Sequence, residues 1–366
     1  MSNVGAYSML EVKNIKINPH AAAFCKLFFD ASPQKRMLLG RNIYGENIAK
    51  VIEIGSFVDD FTEDTEFLGK PVIKSKDIPT DALVVSTLLG RPLTGNEMLR
   101  ALGVEYLDYF SFYENAGLDF PVLRFWGGFK EEFNKNRDKF DWIESLLSDL
   151  LSKDVYEKII SFRLSGNLEY MNGFSDRQRY QYFENFLNLP VKDGVFIDVG
   201  GFDGFTSQEF IKRCPDFRAV YFFEPDPNNY EVAGEVLGEY ANVTLMQIGL
   251  SDKKQFLRFS SGGSVSAISK DGDKEIEVDA LDNLVHDHVT FIKMDIEGAE
   301  GGAIKGARRT ILENHPILAI CVYHKDNDIW EIPELVFSIR SDYDIYLRHY
   351  TEGVAETVMF FMPKLK

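Results

Sequence analysis

The chain reads as an α/β protein: an open seven-stranded sheet in its second half, preceded by a small α/β domain and a helical connector. Three observations predict this. From residue 191 onward apolar strand-like runs at 195–199, 219–224, 243–248, 289–294, 317–322, 343–347 and 356–361 alternate with helical stretches near 205–213, 227–238, 299–312 and 331–338. The last two runs are joined only by Arg348 to Ala355, too short for a crossover helix, so the final strand should run antiparallel. Finally, Val195-Phe196-Ile197-Asp198-Val199-Gly200-Gly201-Phe202-Asp203-Gly204 is an apolar strand that ends in an acid and opens through glycines into a helix.

At 366 residues the chain exceeds one ordinary core, so several domains are expected, at 1–110, 111–190 and 191–366. In the first, Arg36–Gly40, Ile54–Asp60, Leu68–Ile73 and Asp81–Thr87 read as strands, with a helix through Glu46–Ile52. The second is helical and aromatic. Apolar residues recur at a 3.6-residue period over Asp138–Leu151, and the pattern continues in Val155–Leu164 and Arg179–Leu187. Within the third, the alternating stretches Gln255–Phe259 and Lys274–Val278 suggest a hairpin in an insert at 253–280.

Composition excludes several classes. With 40 basic against 57 acidic residues the net charge is −17, which argues against a nucleic-acid substrate. No apolar run reaches the roughly 18 residues that span a bilayer, and the N-terminal MSNVGAYSMLEVKNIKINPH has no secretory h-region. Cys25, Cys214 and Cys321 are odd in number and far apart, as expected of reduced thiols in a cytoplasmic protein.

Three motifs carry chemistry. Asp198, Gly200, Gly201, Asp203 and Gly204 line the glycine turn, and Glu224 closes the next strand 26 residues after Asp198, where it can accept from ribose hydroxyls. The D-x-G-x-x-x-G register differs from the G-x-G-x-x-G of dinucleotide enzymes and points to S-adenosyl-L-methionine over NAD. Asp203 and Asp226 also read as helix caps. After the third strand, Ile248 and Leu250 can sandwich an adenine ring while Asp252 accepts from its amino group. At the end of the fourth strand, Lys293, Asp295, Glu297 and Glu300 gather a cation and three carboxylates where open sheets bind ligands, and His324 ends the fifth strand beside them.

With these pieces, FIDVGGFDG, YFFEPDPNNY, IGLSD, DALDNL, FIKMDIEGAEGGAIKGA, HPILAICVYHK and LRHYTEGVAETVMFFMP, about 175 residues resemble the FkbM-type family of S-adenosylmethionine-dependent methyltransferases. Tyr180-Gln181-Tyr182-Phe183 resembles a lead-in to that domain. The resemblance implies a class I methyltransferase sheet, Rossmann-like, with its last strand antiparallel, and O-methyl transfer to a hydroxyl of a sugar, glycan or natural product. It assigns Asp198, Gly200, Gly204, Glu224 and Asp252 to the cofactor, and Asp295, Glu297, Glu300 and His324 to the active site. Gly201 stands where alanine is common there, a change expected to matter little.

In the expected reaction His324 or a carboxylate of Asp295 or Glu297 takes the hydroxyl proton, while Lys293 holds the carboxylates or polarises the acceptor. Asp295, Glu297 and His324 would also suit Mg2+ or Mn2+, but nothing in the spacing requires a metal, and none is expected. The acceptor is expected to be carried by loops 160–180, 260–272 and 323–330. Gly40-x-x-x-x-Gly45 with Asp59 resembles half of a nucleotide site without the full glycine register, so the first domain is expected to pack, dimerise or present substrate. The alternatives are a nucleotide-sugar-binding protein or a non-catalytic one that retains the fold.

Overall fold

The computed structural model describes residues 15–260, 267–268, 272 and 274–364. Most of loop 260–272, and residues 1–14 of the N-terminal stretch read for a leader, lie outside the described residues. The chain forms two compact units. One holds Met1–Glu131, Asp154–Gln178 and Tyr350–Ala355, and the other Glu132–Lys153, Arg179–His349 and Glu356–Lys366. No helix among the described residues is long and apolar enough to cross a membrane.

The first unit contains α1 (Ala21–Asp30), β1 (Arg36–Leu39), α2 (Ile43–Val51), β2 (Ser56–Val58), β3 (Glu66–Phe67), β4 (Lys70–Ile73), β5 (Leu83–Ser86), α3 (Pro92–Leu102), β6 (Glu105–Asp108) and α4 (Tyr109–Asn115). Its sheet runs β3-β4-β2-β1-β5-β6, parallel except for the short β3. Buried Phe24, Phe28, Phe57, Phe110 and Phe112 pack one core, so much of the aromatic content is structural. Strand order reverses between β1 and β5. There the Asn42 carboxamide oxygen accepts from the Tyr44 and Gly45 N–H groups, both at 3.1 Å, and its nitrogen donates to the Thr87 carbonyl at 2.8 Å.

Three helices follow: α5 (Phe129–Lys135), α6 (Arg137–Leu146) and α7 (Leu150–Ser165). The single helix expected over Asp138–Leu151 is broken at Leu147–Asp149. Leu147 bridges Ile345, and the Ser148 N–H donates to the Ile345 carbonyl at 2.9 Å, so strand-edge pairing replaces a helical turn. The helix expected over Arg179–Leu187 is absent, leaving one 3-10 turn at Gln178–Tyr180. Tyr182 has a left-handed backbone, φ +71°, which a helix cannot continue through.

The second unit contains β7 (Val195–Val199), α8 (Phe205–Arg213), β8 (Ala219–Phe223), α9 (Pro227–Leu237), β9 (Val243–Met246), β10 (Gly249–Leu250), β11 (Gln255–Ser260), β12 (Ala267–Ile268), β13 (Lys274–Asp279), α10 (Leu281–Leu284), β14 (Phe291–Met294), α11 (Glu300–Gly306), α12 (Arg308–Asn314), β15 (Ile317–Cys321), α13 (Asp328–Ile339), β16 (Tyr343–His349) and β17 (Thr357–Pro363). Its main sheet runs β16-β17-β15-β14-β7-β8-β9. β17 lies antiparallel between β15 and β16, as the short connection requires. Every residue of β7, β14 and β15 is buried, which explains their unbroken apolar runs.

In the insert, β11 and β13 pair antiparallel as expected, but β13 also pairs parallel with β10 in a separate four-stranded sheet. The helix read over 299–312 divides at Ala307 because the second half has its own cap. Asp282 accepts from the Arg309 N–H at 2.6 Å and the Thr310 N–H at 3.0 Å.

Candidate active site

Ligands of open α/β sheets bind at the carboxyl ends of the strands where the order reverses. In the main sheet that point lies between β7 and β14, and it brings the glycine turn against the Lys293–Glu300 segment.

The turn is held from beneath. Asp198 is wholly buried in β7. Its Oδ2 accepts from Ser207 Oγ on α8 at 2.7 Å, and its Oδ1 lies 3.2 Å from Lys293 Nζ. Lys293 in turn donates to the carbonyls of Val199, at 3.2 Å, and Gly200. Its three donors therefore face Asp198 and the turn. Burial pulls the Lys293 pKa down, but the charges of Asp198 and Asp295 more than offset it, and the net shift is upward.

The glycines answer to packing as much as to ligand. Gly200 has φ +71°, and a Cβ there would lie 2.0 Å from the Asp295 carbonyl oxygen. Gly204, at φ +84°, abuts Leu237. Gly201 corrects the expectation that alanine would serve equally. Its Cβ position is filled by the Phe222 ring, 2.0 Å away. Gly201→Ala should therefore cost about 1–3 kcal/mol, and Phe222→Leu in the same chain should recover part of it. Denaturant unfolding of both single variants and the double variant measures this.

Glu224 is buried at the end of β8. Its Oε2 accepts from the Phe202 N–H at 3.1 Å and its Oε1 from the Asp226 N–H at 2.9 Å. Burial raises its pKa against the opposing pull of those bonds. Asp203 accepts from the Phe205 N–H at 3.0 Å, at the head of α8. Asp226 caps α9 through the Asn228 N–H at 2.9 Å. Ile248 is half-buried just beyond β9, and Asp252 is exposed just beyond β10.

The remaining predicted residues converge on His324, whose side chain is fully buried. Asp295 Oδ1 and Glu297 Oε2 lie 3.3 Å and 3.5 Å from its Nε2, and Glu300 Oε1 lies 3.0 Å from its Nδ1. Burial alone would lower the His324 pKa, but Glu300 and Asp295 drive it well above the ordinary value. Burial would raise that of Asp295, yet hydrogen bonding and charge from His324, with Lys293 and Tyr182, leave it well below the carboxylate range.

Sequence reasoning missed what supports Asp295. Tyr182 donates to Asp295 Oδ2 at 2.7 Å and accepts from Gln181 Nε2 at 2.8 Å, and Gln181 also donates to Glu356 at 2.6 Å. Burial and Asp295 raise the Glu356 pKa to about 7. Tyr182, Glu297 and Glu356 all have positive φ, +71°, +56° and +70°. Such strain collects at functional sites, where surrounding structure enforces it. The family-like YQYF segment is the available signal for Gln181 and Tyr182, and the closing LRHYTEGVAETVMFFMP stretch, which contains Glu356, is the one for Glu356.

Two sets of side chains bring possible metal-ligand atoms within 4.8 Å of one another: Asp295, Glu300 and His324; and Asp295, Cys321 and Glu356. The second is the poorer, because burial drives the Cys321 pKa well above its usual value and disfavours the thiolate.

Asp328, at the start of α13, is raised from 3.8 to about 7 by burial and then by Glu300, against a bond from the Lys325 N–H at 2.7 Å. Between those two pH values the folded chain binds the extra proton, so this group lowers stability as pH rises from about 4 to about 7, by at most about 1.4 kcal/mol per unit. Asp328→Asn keeps the acceptor and removes the charge. It should flatten that slope and unfold at higher urea than the parent at pH 8.

Residues 198–350 match the model of the methyltransferase FkbM domain. These residues form an FkbM-family methyltransferase domain. The solved structure of methyltransferase FkbM from Methylobacillus flagellatus KT is 25% identical and superposes with a TM-score of 0.76 over 94% of each chain. An rRNA methylase from Streptococcus thermophilus is 15% identical over 48% of this chain and 89% of its own, at a TM-score of 0.33. Fibrillarin from Aeropyrum pernix, solved with S-adenosyl-L-methionine, is 13% identical over 48% of this chain and 70% of its own, at 0.32. Those two scores are too low to carry an argument. No curated protein matches the chain.

Proposed function

We propose that this FkbM methyltransferase moves a methyl group from S-adenosyl-L-methionine to a hydroxyl of a sugar, glycan or natural product. The observation that carries the reading is Asp295. It is a carboxylate held by Tyr182 and His324, whose own carbonyl touches the glycine turn. The chain fits the donor at Glu224, which ends β8 with a carboxylate at the ribose position beside the glycine turn. S-adenosyl-L-methionine supplies a methyl group made electrophilic by its sulfonium.

The chain's part is alignment and proton removal. Well-oriented reactants gain up to about 7–11 kcal/mol of the barrier. A hydroxyl becomes strongly acidic as its oxygen takes on a methyl group, so a carboxylate of low basicity suffices to receive its proton. We assign that proton to Asp295 Oδ1. The carboxylates around His324 raise its pKa and favour the imidazolium, so His324 is read as stabilising Asp295 and Asp295 as the base. Phe202 and Phe205, 41% and 40% exposed beside the turn, offer ring faces to an acceptor sugar. Cytoplasmic residence is supported by three free, buried cysteines.

The first unit is read as a degenerate nucleotide fold. Asn42 already takes the N–H groups at the start of α2 that would otherwise receive a phosphate.

The test is calorimetry with S-adenosyl-L-methionine, NAD and nucleotide sugars, followed by a labelled-methyl assay over hydroxylated glycans. Donor binding alone, with label transferred to oxygen, is expected. With the active acceptor, Asp295→Asn should lower turnover by about 10²–10⁴-fold. Donor binding without transfer to any glycan or small hydroxylated metabolite would favour a non-catalytic protein.

A further inference from the structure

The carboxylates around His324 outnumber the cations. Asp295, Glu297 and Glu300 lie within 3.0–3.5 Å of its ring nitrogens. Lys293 is committed to Asp198 and the turn carbonyls. Even with the imidazole protonated, three carboxylates leave a formal charge of −2 on side chains that are largely out of solvent, which is costly unless a cation compensates it. The donor's sulfonium can supply at most one positive charge.

An independent observation points the same way. Glu300 is wholly buried, and its Oε2 has no hydrogen-bond partner among the described residues. Its Oε1 already accepts from the Ile296 N–H at 2.9 Å and faces His324 Nδ1. A buried carboxylate oxygen left in that state bears an uncompensated desolvation cost. A ligand oxygen of Glu300, one of Asp295 and a ring nitrogen of His324 all lie within 4.8 Å of one another.

We propose that Asp295, Glu300 and His324 bind one divalent cation of the Mn2+ type within the methyl-transfer site. The inference rests on the proposed function and deepens it, since the cation would take over from the His324 proton the stabilising of Asp295 beside the acceptor. On binding, a ring nitrogen of His324 gives its lone pair to the cation and the proton it carried leaves to solvent. One imidazole with two carboxylates suits Mn2+ or Fe2+ better than Mg2+, which prefers an all-oxygen octahedron. A bound dication would bring the formal charge of the cluster from −2, with its imidazolium, to −1.

The experiment is titration of the full chain, stripped of metal, with Mn2+, following the free aquo-ion by electron paramagnetic resonance. One ion per chain is expected. Glu300→Gln and Asp295→Asn, checked for folding by circular dichroism, should each weaken binding at least tenfold. A parallel pulsed measurement on the unaltered chain reads 14N coupling from the imidazole, so the proposal stays testable if a variant fails to fold. Lack of stoichiometric binding, unchanged affinity in both folded variants, or Mn2+ without 14N coupling would each overturn it. Calorimetry with S-adenosyl-L-methionine is run separately on the metal-free chain. Donor binding without Mn2+ binding defeats only the cation site, and Mn2+ binding without donor binding defeats only the donor assignment.

Discussion

Gly200→Ala should lower the stability of the methyltransferase unit by about 2–5 kcal/mol. About 1–2 kcal/mol comes from forcing a non-glycine residue to φ +71°, and typically 1–3 kcal/mol or more from overpacking. The overpacking has no easy relief. The new methyl would sit 2.0 Å from the Asp295 carbonyl oxygen and 2.9 Å from Ile296 Cγ2, and the nearer neighbour is backbone. If the chain yields, it does so by pushing the turn away from Asp295, and donor affinity should fall with stability. Gly234 in α9 is the control, because its Cβ would meet only Leu245 at 4.0 Å. Gly234→Ala should stabilise by roughly 0.5–1 kcal/mol. Guanidinium unfolding of the three proteins decides the matter, and equal midpoints for Gly200→Ala and the parent would refute the packing argument.

Lys293→Met should be comparably severe, at about 3–5 kcal/mol, because removing one partner strands the other charge in the interior. Asp198 is wholly buried and Lys293 nearly so. The substitution also strips the carbonyls of Val199 and Gly200 of their donor. Asp198→Asn added to Lys293→Met removes the stranded charge while leaving an acceptor for Ser207, so the double variant should be more stable than Lys293→Met alone. A double variant no better than that single would show that the ammonium serves the turn carbonyls and that its pairing with Asp198 contributes little. Thermal and urea unfolding at neutral pH provide the readout.

The two predictions share a cause. Glycine turn, buried acid and lysine are bonded to one another, and the Asp295 carbonyl rests against Gly200. That separates the residues expected to act together into two groups. Lys293 and Asp198 support the turn from below. Asp295, Glu297, Glu300 and His324 form the charged cluster above it.

The local pattern of the chain determined the seven-stranded sheet, its antiparallel last strand, and the gathering of Asp198, Glu224, Asp295 and His324 at strand ends. Strand burial and connection length are local properties, written in apolar runs and loop spacing. The tertiary structure alone decided where a helix yields to other bonds, as at Ser148, which pairs with Ile345, and at Tyr182, which turns left-handed to reach Asp295. It also decided that alanine at Gly201 would be costly, because the atom its methyl would meet belongs to Phe222 on the next strand. And it alone linked Glu356, 61 positions beyond Asp295 in the chain, to that residue through Gln181 and Tyr182. Periodicity records which face of an element is buried, but it carries no information about which distant side chain shares that burial.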